Sequence, residues 1–230
     1  MIAPPRTADG PLLLADIGGY TGFLRTVQTA HADDAFANGA VPDAYGLVSS
    51  LLDAIVGRLV PPFTLSKLEG DAVFAYAAGD AAIPRGQALL ACIQACYDDF
   101  RRLLGQAHEV WACRCDACAR IDQLELKFIV HAGSFVIQSI AGTAELVGAE
   151  VVMAHRLLKN DAQATLGSGA YALLTAPAVE RYDVPVEGAL PMTAEYEHYE
   201  PVGTGTPRLA EDLSDGRSVI RSAAPPAPHH

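Results

Sequence analysis

The sequence predicts an α+β domain: one mainly antiparallel sheet with helices packed on one face. Three observations carry that prediction. An apolar run at 12–17 is closed by Gly18-Gly19, the pattern of a buried strand. Two short strand-like runs, 63–68 and 72–77, are split by Gly70-Asp71, a hairpin signal with the aspartate at its tip. Between and after them, apolar residues recur at three- and four-residue steps, as a helix packed on a sheet requires.

The elements follow in order. Residues 1–10 carry two prolines, one arginine and no apolar core, and read as a flexible N-terminus. After the first strand, Phe23, Leu24 and Val27 mark a helix that Thr21 is placed to cap. Gly39 to Pro42 breaks it. A second helix spans 44–60, with Leu47, Val48, Leu51, Leu52, Ile55, Val56 and Leu59 as its stripe, and Pro61-Pro62 ends it. Pro84 opens a third helix reaching about Gly105. A cysteine-rich loop is expected over 108–122. Residues 124–137 alternate as a long strand with Leu124, Leu126, Phe128 and Val130 on one face, and Gly133 marks a bulge or close backbone approach. A helix at 147–159 follows Gly148, with strands expected at 170–174 and 194–199. The domain is placed at 11–200. Residues 201–230, rich in Gly, Pro, Ser and charge, read as a poorly ordered tail. The order is β-α-α-β-β-α-β-α-β.

Composition excludes several functions. The 230 residues are 50% hydrophobic with a net charge of −11 from 27 acidic and 16 basic residues. That argues against a nucleic-acid scaffold, which needs a basic face, but it permits a nucleotide screened by a divalent cation. No apolar run approaches the ~20 residues of a membrane helix, and 1–10 lack the features of a signal peptide. The expectation is a cytoplasmic protein. Five cysteines, an odd number, speak against a disulfide framework. Cys92 and Cys96 lie one helical turn apart on an apolar face and read as buried thiols.

Asp16 and Asp71 each sit beside glycine at the end of a strand-like run. Brought together, they form an oxygen-rich site for a hard divalent cation. Local structure alone also accounts for them, as a helix-start acid and a Gly-Asp turn residue. The order Ala15-Asp16-Ile17-Gly18-Gly19-Tyr20-Thr21, Lys67-x-x-Gly70-Asp71, His131-Ala132-Gly133, Gly148 and Ala154-His155-Arg156-Leu157 resembles the catalytic domain of class III nucleotidyl cyclases. It is most similar to a divergent bacterial branch of cyclase-like proteins of unknown function. The resemblance covers about residues 11–200.

The resemblance implies a ferredoxin-like sheet and two metals, Mg²⁺ or Mn²⁺, on Asp16, Asp71 and the carbonyl of Ile17. It implies backbone N–H groups of Gly18, Gly19, Tyr20 and Thr21 at the phosphates, where a helix start is suited to anions. Lys67 and Glu145 fall where the family reads the base, with ATP favoured over GTP, and Arg156 falls where it steadies the transition-state phosphate. The family works as a head-to-tail homodimer, one chain supplying the aspartates and the other Lys67, Glu145 and Arg156. The implied activity is that of an adenylate cyclase, a phosphorus–oxygen lyase. This chain departs from the family at Val152, where an asparagine positions the ribose; valine offers no hydrogen bond. His155 is a possible substitute. Two other functions fit the residues: a nucleotide-binding sensor or regulatory pseudo-cyclase, which Val152 favours, and a zinc-stapled interaction module.

Cys113, Cys115 and Cys118 place three thiols in six residues. They suit one structural Zn²⁺ with a fourth ligand from His108, Asp116, His131 or a partner chain, and equally a reduced thiol loop. His131, lone on a strand, reads as a packed residue.

Overall fold

A computed structural model describes residues 4–33, 38–39, 41–110, 113, 115–160, 162, 169–185, 189–194, 202–206 and 209. Among these, eight strands form one sheet in the order β2-β3-β1-β4-β6-β8-β7, with β5 paired to the outer half of β4. The strands are β1 (Arg6–Gly18), β2 (Thr64–Glu69), β3 (Ala72–Tyr76), β4 (Glu125–Ile140), β5 (Thr143–Val147), β6 (Tyr171–Thr175), β7 (Leu190–Ala194) and β8 (Val202–Thr206). Every pairing is antiparallel except β4 with β6.

The helices are α1 (Tyr20–Ala30), α2 (Asp43–Leu59), α3 (Gln87–Val110), α4 (Asp116–Ala119), α5 (Ala149–Leu157) and α6 (Ala176–Arg181), with a 3₁₀ turn at Arg120–Gln123. Strand periodicity sorts β1 onto two faces. Leu13, Ala15 and Ile17 join a large core with Phe23 and Val27 of α1, Leu51, Ile55 and Leu59 of α2, and Ile93 and Phe100 of α3. Leu12 and Leu14 point the other way, into a smaller core with Phe74, Ile129, Phe135 and the buried side of α5: Val151, Met153, Ala154 and Leu157. The main helical layer thus lies on one face, as the pattern predicts, and α5 covers part of the other. Asp16 is the next residue on the α5 face after Leu12 and Leu14.

The structure differs from the sequence reading in several places. Strand β1 begins at Arg6, within the stretch read as a flexible N-terminus, because its backbone pairs with β4 from Arg6↔Ile137 through Gly18↔Glu125. Gly10 lies where a Cβ would come within 2.2 Å of the Ala77 carbonyl, so close packing explains a glycine that reads as flexibility. Strand β5 is separate from β4, joined by Ala141-Gly142, both at positive φ. In place of a strand at 194–199, β7 occupies 190–194; residues 195–199 lie outside the described set. Residues 202–206, read as tail, pair with β6 and β7. The rest of that tail, Leu209 apart, is outside the described residues. Among the described residues no helix is long and apolar enough to cross a membrane.

Candidate active site

Strand β1 carries Asp16 between two neighbours, opposite Ala72 of β3 and Lys127 of β4. The tip of the β2–β3 hairpin folds against the end of β1, where the Ile17 N–H donates to the Asp71 carbonyl at 3.1 Å. This backbone bond sets the two aspartates next to each other. Their proximity has an electrostatic signature. Burial, and then the charge of Asp16, pushes the Asp71 carboxyl above the usual carboxylate range, against the opposing pull of Lys127. The Tyr20 phenol is likewise pushed up, by burial and by the Asp71 charge. Asp16 itself is held by Lys127, whose Nζ lies 2.8 Å from Oδ2.

Two carboxylates whose charges repel, Asp16 on β1 and Asp71 in the hairpin turn after β2, form a hard oxygen donor set that fits Mg²⁺ or Mn²⁺. Lys127 supplies part of the positive charge such a cation would bring. Sequence reasoning missed Lys127, because only the β1–β4 register reveals that it faces Asp16.

The glycine turn follows directly. Gly19, not Thr21, is the N-cap of α1: its φ of 84° is one that glycine adopts without strain, and no side chain caps the helix. Thr21 lies within the first turn. The first N–H groups of a helix have no partner within the helix, and such a turn suits an anion.

A second cluster lies further along β2. Lys67 Nζ donates to Glu145 Oε2 at 3.1 Å, with Glu69 Oε1 at 3.5 Å. The bond to Glu145 raises the Lys67 ammonium above its usual range and keeps it charged. Glu69 also bonds His155 Nε2 at 3.0 Å, while His155 Nδ1 lies 2.7 Å from the Val151 carbonyl. Residues three and four apart share a helix face, so Val152, His155 and Arg156 lie on one side of α5. Val152 is 46% exposed. The structure thus joins Asp16 with Asp71, and Lys67 with Glu145. Glu69 is an addition that alternation along β2 places on the Lys67 face.

His131 is buried, with Nε2 2.6 Å from Glu150 and Nδ1 2.9 Å from Thr175. That is the packed role its sequence context implies. Cys96 is buried and Cys92 partly so; burial raises both thiols.

The other three thiols converge on His31, a residue absent from the sequence reading. Its Nε2 lies 3.7 Å from Cys113 Sγ and 3.4 Å from both Cys115 and Cys118 Sγ. The four ligand atoms fall within 4.8 Å of one another, a group able to hold a metal ion. His31, rather than Asp116 or His131, is therefore the fourth member; the His108 side chain lies outside the described residues. Cys115 caps α4 and accepts the Cys118 N–H at 3.4 Å. That bond, more than any other contact, lowers its thiol to about 6. His31 stands more than eighty residues from the thiols, so no local spacing announces it.

Comparison with known proteins gives three results. A family model described as "Protein of unknown function (DUF2652)" matches residues 48–165. The uncharacterized protein Rv2561/Rv2562 of Mycobacterium tuberculosis is 30% identical over 154 residues, 66% of this chain and 66% of that protein. Solved class III cyclases share the fold. The guanylyl cyclase Cya2 superposes with a TM-score of 0.59 at 16% identity, covering 95% of this chain and 99% of that one. The adenylyl cyclase CyaB from P. aeruginosa gives 0.60 at 14%, covering 93% and 100%. A class III adenylyl cyclase-like ATP-binding protein from Pseudomonas aeruginosa gives 0.55 at 12%, covering 80% of this chain and 36% of that chain.

Proposed function

This chain belongs to the DUF2652 family, and from its cyclase fold and adjoining aspartates we propose that it binds a purine nucleoside triphosphate with two divalent cations and converts it to a cyclic nucleotide and pyrophosphate. The observation that carries this reading is the pair Asp16–Asp71, brought together by the Ile17–Asp71 backbone bond and still electrostatically strained beside Lys127.

Each residue has a role in it. Asp16, Asp71 and the Ile17 carbonyl hold Mg²⁺ or Mn²⁺, which when bound supplies Lewis acidity at the phosphates and the ribose hydroxyl. Gly18, Gly19, Tyr20 and Thr21 present N–H groups to the phosphates. Lys67 donates to a ring nitrogen of adenine while Glu145 accepts from its exocyclic amine; the ion pair already holds the two side by side. Arg156 steadies charge on the transferring phosphoryl group. Two chains, head to tail, complete each site.

The test is direct. Purified protein is incubated with ATP or GTP and Mn²⁺, and cyclic nucleotide is sought by mass. Cyclic AMP that disappears in Asp16→Ala and Asp71→Ala is the expected result. Absence of both product and metal-dependent nucleotide binding overturns the reading.

A further inference from the structure

We propose that His31, Cys113, Cys115 and Cys118 bind one zinc ion, and that this centre clamps the C-terminal end of α1 to the α4 segment that leads into β4. It stands independently of the nucleotide reading.

The geometry carries the assignment. A tetrahedral centre with Zn–S near 2.3 Å and Zn–N near 2.0 Å sets its N···S edges at about 3.5 Å. The three edges from His31 Nε2 measure 3.4, 3.4 and 3.7 Å. A hydrogen-bonded histidine needs one partner at that nitrogen; here three sulfurs surround it. Three thiolates and one imidazole are a closed structural zinc set with no open position for a substrate. The Cys115 sulfur also accepts the Cys118 N–H, the outer bond that orients a ligand.

The position of the centre gives it a purpose. His31 follows the last turn of α1, and its N–H is bound to Val27. Cys115 caps α4 and Cys118 lies within it, and the 3₁₀ turn comes next. Between α1 and that turn lies a cleft of about 290 Å³ with Gly19, Gly22 and Thr26 on one wall and Arg120 and Gln123 on the other. A metal joining the far ends of both walls fixes its width. Without it, short α4 has too few turns to hold its place by helix propensity.

The experiment uses the full chain. Zinc is counted by elemental analysis after purification without metal-affinity resin, and metal-free protein is titrated with Co²⁺ and Zn²⁺. One equivalent per chain is expected, with the sulfur-to-cobalt charge-transfer band and visible bands of a tetrahedral thiolate site. His31→Ala is expected to weaken zinc by more than the 10–100-fold that loss of an outer-shell partner costs. His31→Cys should restore binding with a four-thiolate cobalt spectrum, which guards against a simple folding defect. His108→Ala should change nothing. Hydrogen exchange should rise over 20–33 and 115–123 when zinc is removed. No stoichiometric zinc or cobalt uptake, or a wild-type spectrum in His31→Ala, overturns the site. Unchanged exchange in both segments overturns the clamp.

Discussion

Lys127 and Asp71 set the electrostatics of the carboxylate pair between them. Ionised Asp71 is disfavoured in the folded chain, by burial first and Asp16 second. A carboxyl raised on folding costs stability above its folded titration point, and the cost is relieved as pH falls through it. Asp71→Asn in the metal-free protein should therefore raise the melting temperature at pH 7 by about 1–3 °C, the scale of a fraction of a kcal/mol in a chain of this size. At pH 3 the gain should vanish; calorimetry at the two pH values checks this. Lys127 acts in the opposite sense, since its ammonium lies 2.8 Å from Asp16 and competes with any cation there. Lys127→Met should tighten Mn²⁺ binding about tenfold, within the range for a unit charge a few ångströms away at a surface site, as read by titration calorimetry. Asp16 and Asp71 were legible in the sequence because glycine beside an acid at a strand end is a local pattern. Lys127 and His31 were not, because each meets its partner only through tertiary register.

Elements show the same division between local and non-local information. Helices α2 and α3 were readable because their buried residues recur on one face; Ala44, Val48, Leu51, Ile55 and Leu59 are the buried row of α2. The outer half of β1 was not, since Arg6 to Gly10 alternate poorly and are held by backbone pairing with β4. Strand β5 was hidden because its turn lacks the usual Asn-Gly signal. Ala141 occupies it at φ 51°, a left-handed conformation that costs a non-glycine residue roughly 1–2 kcal/mol. Ala141→Asn should recover about 0.5–1 kcal/mol, since asparagine suits the first position of this two-residue turn; the urea midpoint measures it. On α5, Val152 shares a face with Arg156, and in the proposed cyclase reaction it stands where a polar contact to the ribose is expected. Val152→Asn should raise kcat for cyclic nucleotide formation by about 10²-fold, the lower end of what one preorganised polar contact contributes. A rate unchanged within twofold would dismiss Val152 as the weak point.

For the whole molecule, the sheet separates a thick helical core on one face from a thinner layer on the other, where α5 and both polar clusters sit. The proposed dimer uses that exposed face, with the aspartates of one chain completing the Lys67, Glu145 and Arg156 set of its partner. Mixing settles this arrangement. Asp16→Ala and Arg156→Ala should each be inactive, but co-refolded in equal amounts they should regain about a quarter of wild-type activity, because half the symmetric dimers are mixed and each holds one intact site. No recovery would place each site within a single chain. The thin layer also depends on a narrow passage. Any Cβ at Gly133 would come within 2.6 Å of Glu150 Cγ and force away the carboxylate that bonds buried His131. Enlarging position 133 therefore bears on Glu150 and, through it, on His131. A side chain at 133 displaces the carboxylate that ties α5 to the sheet, so the absence of one there helps to seat the helix that bears Arg156.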